Sequence, residues 1–208
     1  MYLSKLVLNE RDRTVQYDLS NAHALHQRIM QAFPDEQRDS PRADWNVLFR
    51  QEPASAIVLV QSGIQPNWTH LPTSYLTCSP NFTHVDLEAS RLESGRIFQF
   101  RLKANPSKRD NQTRKLIGMF HQSDQMTWLE RQASQHGFQP LGVDVIPTPN
   151  VFGVKGKGKA PIRMLTVLYQ GVLQITDSAL FIAALQQGIG RGRSYGCGLL
   201  SIAKLNPY

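Results

Sequence analysis

Cysteine is scarce in this chain. Cys78 and Cys197 are the only two among 208 residues, and they form no CxxC pair. That spacing excludes a disulfide scaffold or a zinc ribbon as the organising theme. Long apolar runs are missing as well: nothing approaches the roughly 18–20 unbroken apolar residues that a membrane-spanning helix needs. The opening Met1-Tyr2-Leu3-Ser4-Lys5 has no basic-then-apolar leader layout. The expectation is a soluble protein of the reducing cytoplasm, with no membrane contact. Phosphate-loop signatures are also absent. No glycine run ends in Gly-Lys-Ser/Thr, and the glycines at 188–198 follow a helical pattern without the third glycine at dinucleotide-binding spacing. A nucleotide-using enzyme is therefore disfavoured.

Acidic residues run short in the second half. Residues 1–94 carry 8 Lys+Arg and 11 Asp+Glu, a net of −3, while residues 95–208 carry 15 and 5, a net of +10. Charge of one sign gathered in one half fits a polyanionic partner, most commonly nucleic acid; a merely solvated basic surface is the other reading. Hydrophobic residues make up 41% and charged residues 19%, an ordinary globular balance. The length suffices for one large domain or two small ones.

Periodicity then supplies elements. Tyr2–Leu8 alternates as a strand, and Asp18–Asn21 offers caps for a helix from His23 to Phe33. Trp45–Gln51 and Ile57–Ser62 read as strands, with one more strand in the ambiguous stretch 72–94. After it the same grammar returns. A strand at Arg96–Lys103 precedes a long polar loop with a fragment near Leu116–Phe120. A helix at Gln125–His136 follows, burying Met126, Trp128, Leu129 and Ala133. Leu141–Ile146 is a strand, and Arg163–Tyr169 with Val172–Ile175 forms a strand pair or one long strand, Gln170-Gly171 being the break. A helix capped by Asp177 runs to Gln187, and Tyr195–Ala203 is the last strand. Each half reads strand–helix–strand–strand–helix–strand, the ferredoxin-like or RNA-recognition arrangement. The expected fold is α+β, with two tandem ferredoxin-like domains at 1–92 and 95–208.

His23 and His26 share one side of the first helix. With about 100° per residue, Ala22, Leu25, Ile29 and Phe33 define the buried stripe; His26 lies about 40° from its centre and His23 about 100°. A histidine at the margin of a core is partly held and partly wet, which suits acid–base work. The first helical turn favours its neutral form. An inert surface pair and a shared zinc are the other options, but no HExxH and no nearby carboxylate supports metal.

Two basic features stand out. Residues 150–163 interleave lysine and glycine, and a period of two places Lys155, Lys157 and Lys159 on one edge of an extended arm that ends at Arg163. Such an arm can track phosphates or enter a groove; a disordered solvated loop is the alternative. Five of the fourteen glycines fall within residues 188–198. Gly188, Gly190 and Gly192, with Arg191 and Arg193, form a loop whose backbone can approach a phosphate chain. A helix cap followed by a tightly packed strand explains the same glycines, and both can hold at once.

The order of these features, together with Met1–Lys5, Leu25-His26, Phe100-Arg101-Leu102-Lys103-Ala104-Asn105-Pro106, Gln187-Gly188-Ile189-Gly190 and Gly196-Cys197-Gly198-Leu199-Leu200-Ser201, resembles the CRISPR repeat-processing endoribonucleases of type I-E systems, the CasE subunits of Cascade. The resemblance spans nearly the whole chain; the glycine segment alone is shared with other RNA-binding RAMP proteins. It implies two tandem ferredoxin-like domains and cleavage of precursor CRISPR RNA at the 3′ base of the repeat stem-loop. It also implies partners in that RNA and the other Cascade subunits, and retention of the mature guide. The family's catalytic histidine maps to His26. Many relatives carry tyrosine three residues earlier, where this chain has His23.

Cleavage by the RNA's own 2′-OH, leaving a 2′,3′-cyclic phosphate, needs alignment, a proton acceptor, a proton donor and cations near the phosphorane, but no metal or other cofactor. His26 is the expected acid or base and His23 its candidate partner. RNA contacts are expected at Lys155, Lys157, Lys159, Arg163, Arg101, Lys103, Lys108, Arg109 and the 188–193 loop, reading A-form shape. A subunit that binds RNA without cutting it is the alternative.

Overall fold

The computed structural model describes residues 1–35 and 41–205. The chain divides into two compact units. The first is Met1–Asp86 with Val151–Arg163 and Arg193–Gly196; the second is Leu87–Asn150 with Met164–Gly192 and Cys197–Tyr208. The glycine-lysine segment and the short Arg193–Gly196 turn thus pack with the first unit, although the sequence cut places both in the second half.

In the first unit, β1 (Tyr2–Val7) is followed by α1 (Arg13–Ser20), α2 (Ala22–Met30), the short α3 (Pro41–Asp44), β2 (Leu48–Gln51), β3 (Ile57–Ser62) and β4 (Asn81–His84). The sheet order is β2-β3-β1-β4, so the first and last strands lie side by side, as a ferredoxin-like sheet requires. All its strand pairs are antiparallel. Between β3 and β4 the second helix is reduced, among the described residues, to a single turn at Trp68–His70. Leu6, Val15, Leu25, Ile29, Trp45, Val58, Val60 and Trp68 form this unit's core.

Two helices stand where the sequence pattern starts one. Asp12 caps α1, its Oδ1 accepting from the N–H groups of Thr14 (2.7 Å) and Val15 (3.2 Å). Asn21 then serves both helices. Its extended backbone (φ −128°, ψ 98°) ends α1, and its side chain caps α2. Asp18, read as a cap candidate, is instead buried in α1. It accepts from Arg28 Nε at 2.9 Å and from the Tyr75 hydroxyl at 2.8 Å, which pins α2 against α1.

The second unit holds β5 (Ile97–Ala104), the hairpin β6 (Ser107–Arg109) and β7 (Leu116–Gly118), α4 (Gln122–Gln135) and β8 (Phe138–Pro147). The chain then forms a small hairpin, β9 (Val151–Gly153) and β10 (Ile162–Met164), before β11 (Val167–Ile175), α5 (Ser178–Gln187) and β12 (Leu200–Lys204). The sheet order β12-β5-β11-β8 repeats the ferredoxin-like order with both helices present. Trp128, Leu129 and Ala133 of α4 are buried, while Met126 packs at the margin of the core. Tyr169 stacks on Trp128 with ring centroids 6.0 Å apart, and its hydroxyl donates to the Gln125 carbonyl at 2.8 Å.

Two strand readings change. Across Gln170-Gly171 the long strand and not the pair is formed, since β11 is continuous from Val167 to Ile175. Gly171 is required for another reason: a Cβ there would collide with the Gly142 carbonyl of neighbouring β8. The last strand begins at Leu200 and not at Tyr195, because Arg193–Tyr195 forms a 3-10 turn and Gly196 and Gly198 both take positive φ. Among the described residues no helix is long and apolar enough to cross a membrane.

Candidate active site

The site is built inside the first unit, on α2. Leu25 and Ile29 bury the inner face of that helix. His23 and His26 lie half-buried beside it, where the helical wheel places them. The Nδ1 atoms of both rings are buried and, among the described residues, make no hydrogen bond. No carboxylate among those residues orients either Nδ1.

Three segments remote in sequence close around His26. Tyr195 meets it edge to face, with centroids 6.2 Å apart and planes at 71°. Lys155 places its Nζ 6.0 Å from the centre of the Tyr195 ring, a distance at which the π face attracts a cation. Arg42, from α3, adds positive charge, and Arg193 acts on Arg42 in turn. The His26 imidazole is pushed down to about 4 from its ordinary value of 6.5, first by burial and then by the charges of His23, Arg42 and Lys155. The result is a neutral imidazole in a cationic surround. Such a group stands in its proton-accepting form at neutral pH, though its basicity is lowered, and the cations attract a phosphate.

Two members of this site have no sequence signal of their own, and a third has only a weak one. Arg42 falls between the elements that the sequence pattern marks, Tyr195 in what reads as a strand, and Asn21 is one of several cap candidates. Only the last had a usable pattern, the cap position two residues before His23.

The lysine arm differs in shape from the sequence expectation. Its tip turns at Gly156 and Gly158, with Lys159 N–H donating to the Gly156 carbonyl at 3.3 Å. Lys155, Lys157 and Lys159 therefore project from a turn and do not line one edge of an extended strand. All three are exposed, as is Arg163. Of the residues singled out in the sequence, the structure gathers His23, His26, Lys155 and Arg193 within the first unit, with Lys157, Lys159 and Arg163 further along the same arm.

The remaining candidates belong to the second unit. Arg101 and Lys103 alternate with buried Phe100, Leu102 and Ala104 along β5 and so occupy the open face of the sheet. The Arg101 guanidinium donates to Gln170 Oε1 from Nε (3.1 Å) and Nη2 (2.6 Å). Lys108 and Arg109 are exposed on β6, and Arg109 Nη1 donates to the Arg114 carbonyl at 3.0 Å. Gly188 ends α5, its N–H donating to the Ala184 carbonyl at 2.9 Å. Gly190 has φ +78°, and a Cβ would stand 2.9 Å from the Trp128 ring, so this glycine serves packing. Gly192 also takes positive φ, and Arg191 is exposed between them. Among the described residues no three His, Cys, Asp or Glu side chains gather as a metal site.

Comparison with known proteins places this geometry in a family. A family model described as CRISPR associated protein matches residues 1–204. The CRISPR-associated endoribonuclease Cse3 of Thermus thermophilus is 31% identical over 217 residues, covering 98% of this chain and 100% of that protein. The CRISPR system Cascade subunit CasE of Escherichia coli is 32% identical over 216 residues, covering 99% and 100%. The solved structure of Cse3 bound to 19 nt RNA is similar with a TM-score of 0.83 and 31% identity, covering 98% of this chain and 100% of that one. Thermus thermophilus Cse3 bound to an RNA representing a pre-cleavage complex gives 0.80 at 30% identity, covering 97% and 98%. With the family model matched over residues 1–204, the chain belongs to the CRISPR-associated protein family.

Proposed function

We propose that this chain is an endoribonuclease that cuts precursor CRISPR RNA at the 3′ base of each repeat stem-loop and keeps the mature guide within a Cascade complex in the cytoplasm. Support comes from relatives named as an endoribonuclease and as a Cascade subunit, matched over their full length. The observation that carries the chemistry is the half-buried His26 ring against Tyr195, with Lys155 held on that same tyrosine ring.

His26 takes the proton of the 2′-OH. The resulting oxygen attacks the adjacent phosphorus while the bond to the 5′-oxygen breaks, and that leaving oxygen takes a proton from His23. The products are a 2′,3′-cyclic phosphate and a 5′-hydroxyl. Lys155 and Arg42 offset the charge that builds on the phosphorane, so no metal ion is needed. Exposed Lys157, Lys159 and Arg163 serve as phosphate contacts on the arm. Arg101, Lys103, Lys108 and Arg109, with the 188–193 loop carrying Arg191 and Arg193, serve as further RNA contacts. The sequence halves 1–92 and 95–208 share this work: the first supplies the histidine helix and Arg42, the second the arm with Lys155 and the further RNA contacts.

Incubation with a labelled repeat stem-loop in EDTA tests the reading. Metal-free cleavage to a cyclic-phosphate end, abolished in His26→Ala with stem-loop binding retained, is the expected result. A mobility shift without a shortened fragment would instead mark a non-catalytic RNA-binding subunit.

A further inference from the structure

We propose that Asn21 is a positioning residue for this cleavage: its carboxamide ties the base of the lysine arm to the first turn of α2 and so sets Lys155 beside Tyr195 and His26. The inference rests on the cleavage reading above.

The geometry exceeds what helix capping requires. Asn21 Oδ1 accepts from the His23 N–H at 3.1 Å, which is the cap. The same oxygen accepts from the Val154 N–H at 3.0 Å. Nδ2 donates to the Val154 carbonyl at 3.4 Å and to the Tyr17 hydroxyl at 3.3 Å. One buried side chain therefore engages both backbone polar groups of Val154, a residue 133 positions away. Serine, threonine and aspartate cap helices as well as asparagine does, but none offers an acceptor and a donor at this reach.

Gly153 completes the joint from the arm side. A Cβ on it would stand 3.1 Å from both Asn21 Oδ1 and the His23 nitrogen. The arm and the helix terminus meet nearly backbone to backbone, and Lys155 is the next residue but one. Lysine has a long, rotamer-rich stem, so its usefulness near His26 depends on how firmly its own backbone is held. Gly156 and Gly158 loosen the arm beyond that point, which leaves Asn21 as the anchor.

The test uses the full chain, single-turnover cleavage of a labelled repeat stem-loop, and amide hydrogen exchange. Asn21→Ser keeps the cap and removes the Val154 pairing. With Tm near that of the unmodified protein, its cleavage should fall roughly ten- to hundredfold, as expected when a catalytic group shifts by about 1 Å. The Val154 amide should exchange faster, and adding Lys155→Ala should cost little more because the lysine is already misplaced. Gly153→Ala presses a Cβ into the same joint and should show the same dependence on Lys155. Wild-type cleavage by Asn21→Ser, or rate reductions from Asn21→Ser and Lys155→Ala that simply multiply, would overturn the proposal. No cleavage by the unmodified protein would instead strike the cleavage reading, with Val154 exchange still reporting whether the joint exists.

Discussion

The ring of Tyr195 stands edge to face with that of His26, centroids 6.2 Å apart, and the same ring receives the Lys155 ammonium at 6.0 Å. Tyr195 is thus the piece through which a lysine arm and a histidine helix share one surface. It covers His26 from water and keeps a cation close, and both effects lower the basicity of the imidazole.

Tyr195→Ala should therefore raise the His26 pKa from about 4 toward its ordinary 6.5. Following the imidazole C–H resonances through a pH titration measures this directly. Tyr195→Phe keeps the ring and should leave the titration unchanged.

Activity should follow the sign of that shift. In the free protein His26 stays neutral above about 4, as the proposed proton-acceptor role requires. The kcat/KM profile should fall as pH drops through that region, and His23→Ala should flatten the alkaline limb. His26→Ala should lower the rate by about 10²–10⁴-fold. A rate that climbs as the solution is made more acidic would assign His26 the opposite role. Stability carries the same signature. The folded state disfavours the charged form, so between pH 6.5 and about 4 the unfolded chain binds more protons. Urea midpoints should be highest above pH 6.5 and decline as pH falls, by less in His26→Ala.

Lys155→Ala and Arg42→Gln each remove a cation from around His26. Single-turnover rates should drop by roughly 10²–10³-fold, in the range seen when one transition-state donor is removed. Stem-loop affinity should change far less than the rate, and an equal drop in both would make these residues simple RNA contacts.

Lys157 and Lys159 sit beyond the site on the exposed turn of the arm. Their joint replacement by alanine should leave the bound-state rate intact. It should also make the salt dependence of RNA affinity shallower, by about one for each phosphate that is no longer neutralised. Binding isotherms at several salt concentrations would show it.

Asp18→Ala tests the support beneath α2. It strips the buried partner from Arg28 and Tyr75, and should cost about 3–5 kcal/mol by denaturant unfolding. Because Arg28 lies two residues from His26, cleavage should fall along with stability.

Much of this architecture is legible in residue order, since periodicity is a local property. Alternation of Phe98, Phe100, Leu102 and Ala104 marks β5 and leaves Arg101 and Lys103 on its open face. The 3.6-residue period places His26 at the margin of the α2 stripe, and Asp177 announces α5 by its side chain, which accepts from the Leu180 N–H at 2.9 Å. Where patterns failed, packing over distance had intervened. Gly171 reads as a break because nothing in its neighbours reveals the Gly142 carbonyl pressing on it from the next strand. The short helix α1 escapes notice because its stability comes from Asp12, Asp18 and the turn shared with α2, and no apolar stripe marks it.

The chemistry divides in the same way. A histidine pair on an amphipathic helix, a cation-rich second half and a glycine-lysine arm are properties of residue types and spacing, and they already speak of RNA and proton transfer. Which cations serve His26 is not of that kind. Arg42, Lys155 and Tyr195 are far apart along the chain and meet only because Val151–Arg163 and Arg193–Gly196 fold onto the first unit. The imidazole's pull toward about 4 follows from that meeting, since burial and Coulomb repulsion depend on distance in space and not on distance along the chain.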